Sequence, residues 1–150
     1  MRFFYDKIVC LGEFLQSYFL LALRLYWGYS FFQAGFEKIK NTAPVVDFFT
    51  SLGIPFSEYM ALIVGWIEVV GGICLLVGFA SRLVAIPLAL TMIGALLTAH
   101  GDATFAVLEN SQRFINQTPF TYLLTSLIVL CFGPGKFSVD YVLERAFSKK

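Results

Sequence analysis

LIVGWIEVVGGICLLVGF, residues 62–79, is an almost unbroken apolar run with one carboxylate, Glu68, near its middle. Eighteen residues at 1.5 Å rise approach the thickness of a bilayer's hydrocarbon core, which takes about 20 apolar residues to cross. The run therefore predicts a membrane helix. It also poses a problem, because a charge at mid-bilayer costs about 2.5–3.5 kcal/mol on insertion scales.

The rest of the chain supports the membrane reading. Of its 150 residues, 58% are hydrophobic and only 14% are charged, and the mean hydropathy is +0.75. A soluble domain carries about a quarter charged residues to cover its surface. The net charge of +1 gives no electrostatic footprint for nucleic acid. Seventeen Phe and seven Tyr suit lipid-facing and interfacial positions. Cys10, Cys74 and Cys131 have no C-x-x-C spacing and no neighbouring His, so a metal site, a redox dithiol and a disulfide framework are not indicated, and packing roles are expected.

Four segments read as spans, at about 16–39, 59–79, 83–99 and 119–133 of a single domain covering residues 1–150. The predicted class is all-α, a four-helix transmembrane bundle with short amphipathic interfacial helices. Ser81 and Arg82 leave almost no loop between the second and third spans, so these form a tight antiparallel hairpin. Pro119 suits the first turn of the fourth span, with Thr118 as its cap, and Gly133, Pro134 and Gly135 end it. VVDFFTSLGIPF (45–56) and FSVDYVLERAFSKK (137–150) have the spacing of helices that rest on a membrane surface. The first apolar run is too long for a secretory signal and is read as a retained helix. Four spans place both termini on one side. Seven Lys and Arg residues fall there, against Lys38, Lys40 and Arg113 on the other side, which predicts cytoplasmic termini.

Arg24, inside the first span, is the expected partner of Glu68. Counted from the cytoplasmic ends of their spans, Arg24 lies roughly 12 Å deep and Glu68 roughly 16 Å deep. Glu68 shares a helix face with Ala61, Gly65, Gly71 and Gly72; Arg24 shares one with Ser17, Gly28, Phe31 and Gly35. Small residues mark the face where another membrane helix approaches, so both charges are expected to point inward and pair. The pair is a structural staple or a functional group, since ionisable residues in membranes are candidates for function by default. Gln33, Glu37, Lys38, His100, Tyr122 and Thr125 are candidates for the same polar interior. Against this, His100 also suits a solvated interfacial position, and the Thr/Ser stripe also suits helix–helix hydrogen bonding.

The pieces LRLYWGYSFFQAGFEKI, SLGIP, E-x-x-G-G-x-x-L-L-x-G-x-x-S-R-L, TAH and PFTYLLTSLIVLCFGPGKFSVD together resemble the DoxX family of small bacterial membrane proteins. The likeness covers about residues 20–143. The FFQ-x-G-x-x-K, TAH and PFTYLL pieces are most similar to the HvfX-type branch, associated with maturation of copper-binding peptides. The resemblance implies that Arg24, Glu68, Lys38 and the Ser81–Arg82 turn are recurring family positions. It also implies a His where this chain has Ala34, so His100 would have to replace it. The expected function is a membrane subunit of a redox or metal-stress system, quinone-linked in its sharpest form. In that form Glu68 exchanges a proton, Arg24 tunes it and His100 relays it. The alternative is a non-enzymatic assembly or maturation factor for another membrane protein or a metal-binding peptide; a small-molecule carrier is a third reading. Beyond the lipid bilayer, a partner protein or a homo-oligomer is expected. No cofactor motif or metal set lies in the chain itself.

Overall fold

A computed structural model of the chain describes residues 2–99, 101, 104 and 111–147. Among these every regular element is a helix: α1 (Arg2–Lys40), α2 (Thr42–Ser51), α3 (Ser57–Val77), α4 (Ser81–Thr98), α5 (Ser111–Ile115), α6 (Thr118–Phe132) and α7 (Val139–Phe147). Segment 62–79 lies in α3 and the turn that follows it. Among the described residues three helices are long and apolar enough to cross a membrane: Lys7–Lys40 within α1, α3 and α4. The apolar helix α6 has 15 residues and is shorter.

α1 and α3 form the closest pair. A Cβ on Gly72 would lie 2.5 Å from the Phe32 nitrogen, and one on Gly35 would lie 2.6 Å from the Gly65 carbonyl oxygen. Side chains at these positions would push the two backbones apart, which explains why the glycines are there. Gly28 packs beside Gly72, and Gly35 beside Gly65, so the two helices run antiparallel in a fixed register. The buried face of α3 comprises Ala61, Gly65, Glu68, Val69, Gly71, Gly72 and Leu75, which matches the face expected from the sequence. Its opposite face exposes Leu62, Trp66, Val70, Ile73 and Val77. A stripe of that size has no place in water and reads as lipid-facing.

The α3–α4 connection is as tight as the sequence implies. Gly78 ends α3 with φ +74, and Ala80 precedes α4 with φ +47. α4 begins at Ser81, two residues before the expected start, and Pro87, its seventh residue, removes an interior main-chain donor. α6 packs along α4. Phe31, Leu75, Ala85, Leu88, Met92 and Val129 form the core where α1, α3, α4 and α6 meet. α2 and α7 are short, with no buried residue in either, as expected of amphipathic flanks. α1 extends well beyond the predicted span, back to Arg2. All three cysteines are free, and Cys10 and Cys131 are exposed on the surface, not packed as expected.

Candidate functional site

Arg24 and Glu68 are both buried, at 0% and 1% exposure, and both face the interior as expected. They do not pair. Glu68 forms its ion pair with Lys38, whose Nζ donates to Glu68 Oε2. Arg24 instead donates to two main-chain carbonyls, Leu75 O at 3.3 Å through Nη1 and Phe137 O at 2.5 Å through Nη2. The register explains this. With Gly28 opposite Gly72, Arg24 falls level with the end of α3, roughly eight residues or 12 Å along the axis from the level of Glu68. The depth count from sequence fails because α1 has no boundary at Gln16 from which to measure. Lys38 lies on the other side of Glu68, with its Cβ facing Gly65. A helical side chain leans toward its own N-terminus, so the Lys38 stem points back down α1 toward Glu68.

Two separate polar centres result. The first surrounds Arg24 at the end of the molecule that holds the α3–α4 turn. There the segment after α6 folds back beneath the helices. Asp140 accepts from the main-chain N–H groups of Ala80 (2.6 Å) and Ser81 (2.9 Å), capping the start of α4, while its own N–H donates to Gly78 O at 2.9 Å. Ser138 donates to Gly135 O and accepts from the Tyr141 N–H, which starts α7. A Cβ at Gly78 would overlap the Arg24 guanidinium, so a residue without one is required there for steric reasons as well as for its positive φ. Arg24 Nε and Ser81 Oγ are buried without a protein partner among the described residues. Sequence reasoning missed this clasp. Its signal is the FSVD of the C-terminal segment, an acid and a hydroxyl beside a turn, in a stretch whose spacing suggests only a surface flank.

The second centre surrounds Glu68. It lies in the wall of a cavity of about 1010 Å³ between α1, α2, α3, α4 and the start of α6. The cavity is roofed by Val45, Phe48 and Phe49 of α2 and by Leu52 just after it, and walled by apolar residues such as Ile67 and Met92. Lys38 and Glu68 are the only charged residues among the described lining. Tyr122 also lines it, held edge-on against Phe31 (4.6 Å between ring centroids) and Trp27 (4.9 Å). Ala34, where a family histidine was implied, lies in the same wall.

The other candidates fall elsewhere. Gln33 and Glu37 hydrogen-bond each other at 3.4 Å on the exposed face of α1, away from Glu68. Thr125 is buried but donates to Thr121 O within its own helix, and Ser126 does the same to Tyr122 O, so both serve the packing of α6. His100 lies outside the described residues. No group of three or more metal-ligating side chains occurs among the described residues.

Glycine-spaced α1–α3 packing, the S-R turn and the inward-facing Arg24, Lys38 and Glu68 all coincide in a chain whose residues 19–101 match the family model described as DoxX. The chain belongs to the DoxX family. The Bacillus subtilis protein named "Putative oxidoreductase CatD" is 38% identical over 122 residues, covering 80% of this chain and 83% of that protein. A membrane protein of Mycobacterium tuberculosis is 29% identical over 133 residues, covering 84% and 82%. "Inner membrane protein YqjF" of Escherichia coli is 29% identical over 135 residues, covering 87% and 96%. No solved structure matches the chain. With its apolar, outward-facing helices, this DoxX protein is an integral membrane protein.

Proposed function

We propose that this DoxX protein is the membrane subunit of a redox or metal-stress system in the bacterial inner membrane, and that its cavity binds a quinone-type lipophilic electron carrier. The carrying observation is a buried carboxylate, ion-paired with Lys38, in the wall of an otherwise apolar cavity of about 1010 Å³. Such a cavity accepts a hydrocarbon tail, and the polar corner meets a head group. The names borne by the Bacillus and Escherichia relatives favour a redox role and an inner-membrane site. In this reading α6 is a fourth crossing of a single membrane domain, aided by local thinning of the bilayer, and both termini are cytoplasmic.

Reducing a quinone to a quinol takes two electrons and two protons. The electrons come from a redox-active partner protein. A quinone head in the polar corner would accept a hydrogen bond from Lys38 at one carbonyl, and Glu68 would be the group beside it through which the two protons, supplied by water, pass one at a time. Arg24 has no part in this step; its role is to hold the C-terminal clasp. A short-chain quinone titrated into purified protein in nanodiscs should show one saturable site, weakened at least tenfold by Glu68→Gln. Without Glu68 the ammonium is free to turn to the outlet through which 27% of the Lys38 side chain is exposed. Absence of saturable binding would remove the mechanism.

A second reading has one observation in its favour. A more polar groove of about 720 Å³, lined by Glu13, Arg82, Lys136 and Glu144 among others, lies at the end that carries the clasp. It suits a non-enzymatic assembly or maturation factor of the HvfX type that engages another membrane protein or a metal-binding peptide. Recovery of a stoichiometric partner from native membrane, without redox activity in the complex, would favour this reading over the first.

A further inference from the structure

We infer that the Lys38–Glu68 pair makes the cavity selective for amphiphiles with an uncharged, hydrogen-bonding head group and excludes those with a carboxylate or phosphate head. The inference rests on the reading that the cavity binds a lipophilic ligand, and it narrows that ligand by charge. The two side chains are the only charges in the described lining, and they cancel each other. Glu68 is 1% exposed and the described wall around it is apolar, so no other described side chain offsets a third charge placed beside the pair. An anionic head drawn to Lys38 meets the Glu68 carboxylate at the same place. A cationic head drawn to Glu68 meets the Lys38 ammonium.

A neutral head meets neither penalty. An ammonium has three N–H donors, and Glu68 takes one of them, which leaves donors for a carbonyl oxygen. The carboxylate has lone pairs left for a hydroxyl. Two of the lining threonines offer no competing donor: Thr91 donates to Leu88 O and Thr98 to Gly94 O, each at 2.8 Å. The cavity thus recognises a carbonyl or hydroxyl at the end of a hydrocarbon chain. Glu68 sets that preference by cancelling the Lys38 charge.

The test compares probes of matched chain length. A decyl-substituted benzoquinone, dodecanol, dodecanoate and dodecyl phosphate are titrated into protein in nanodiscs of zwitterionic lipid. Binding is read from the fluorescence of Trp27, which meets the cavity residue Tyr122 edge-on. Protein-free nanodiscs correct for partitioning, and Trp66→Phe removes the exposed second tryptophan. Wild type should bind the two neutral probes at least tenfold more tightly than the two anionic ones. Glu68→Gln should reverse the order, because an anion recaptures the uncancelled ammonium. The charge-swapped Lys38→Glu/Glu68→Lys variant should keep the wild-type order, and it decides the matter if Glu68→Gln does not fold. Equal binding of neutral and anionic probes to wild type, or anion preference in the swapped variant, would overturn the inference while leaving the cavity a lipid site. Failure of every probe to bind would overturn the cavity reading along with it.

Discussion

Arg24 places its guanidinium on main-chain oxygens from two distant parts of the chain, Leu75 and Phe137. Removing it strands two buried carbonyls, each at about 1–3 kcal/mol. Arg24→Met should therefore lower the melting temperature in detergent by at least about 5 °C. Arg24→Lys should recover only part of this, since one ammonium lacks the geometry of a fork with two donating arms. Glu68→Gln should cost less, because the partner it leaves is partly exposed and can reach water. Equal effects of Arg24→Met and Glu68→Gln would show that the two residues share one centre after all. The presence of two buried charges, and the helix faces carrying them, were legible in the sequence from the small residues beside each. The pairing was not. Depth along a membrane helix needs a fixed end, and α1 runs on past the predicted one, so the count placed Arg24 level with Glu68 when it lies near Leu75.

At the scale of elements, the short helices at the flanks have different tasks. α2 roofs the cavity, whereas the segment leading into α7 closes the opposite end by capping α4 through Asp140. Asp140→Ala should cost about 1 kcal/mol, the usual value of a helix N-cap, and should speed amide exchange in the first turn of α4 more than in α3. Uniform exchange across both helices would mean that the carboxylate does not cap. In the α1–α3 contact, Gly72→Leu has no room beside Phe32 and should abolish accumulation in the membrane, while Gly94→Leu, with open space around it, should be tolerated. Immunoblotting of membranes reads both outcomes. The sequence showed the hairpin, the amphipathic flanks and the glycine faces because each is a local pattern. The clasp was hidden because it joins residues 24, 78, 80 and 140, whose meeting depends on how the helices pack.

For the whole molecule, the α3–α4 turn, the C-terminal segment and the α1 residues Glu13 to Ser17 meet around one groove, so they share one end. Lys38 and α2 lie toward the other. With cytoplasmic termini, a membrane-impermeant maleimide applied to intact cells should label Asp47→Cys and should leave Cys10 unlabelled until the cells are opened. The reverse pattern would invert the topology. The distribution of charge is the central claim: Glu68 belongs to Lys38, and Arg24 belongs to the C-terminal clasp. Charge exchange tests it most directly, read as the amount of folded protein in the membrane. Lys38→Glu and Glu68→Lys should each lower accumulation severalfold, and the double variant should restore it, whereas Arg24→Glu/Glu68→Arg should remain as poor as its worse single variant. Rescue by the Arg24–Glu68 exchange, with none by Lys38–Glu68, would contradict the account.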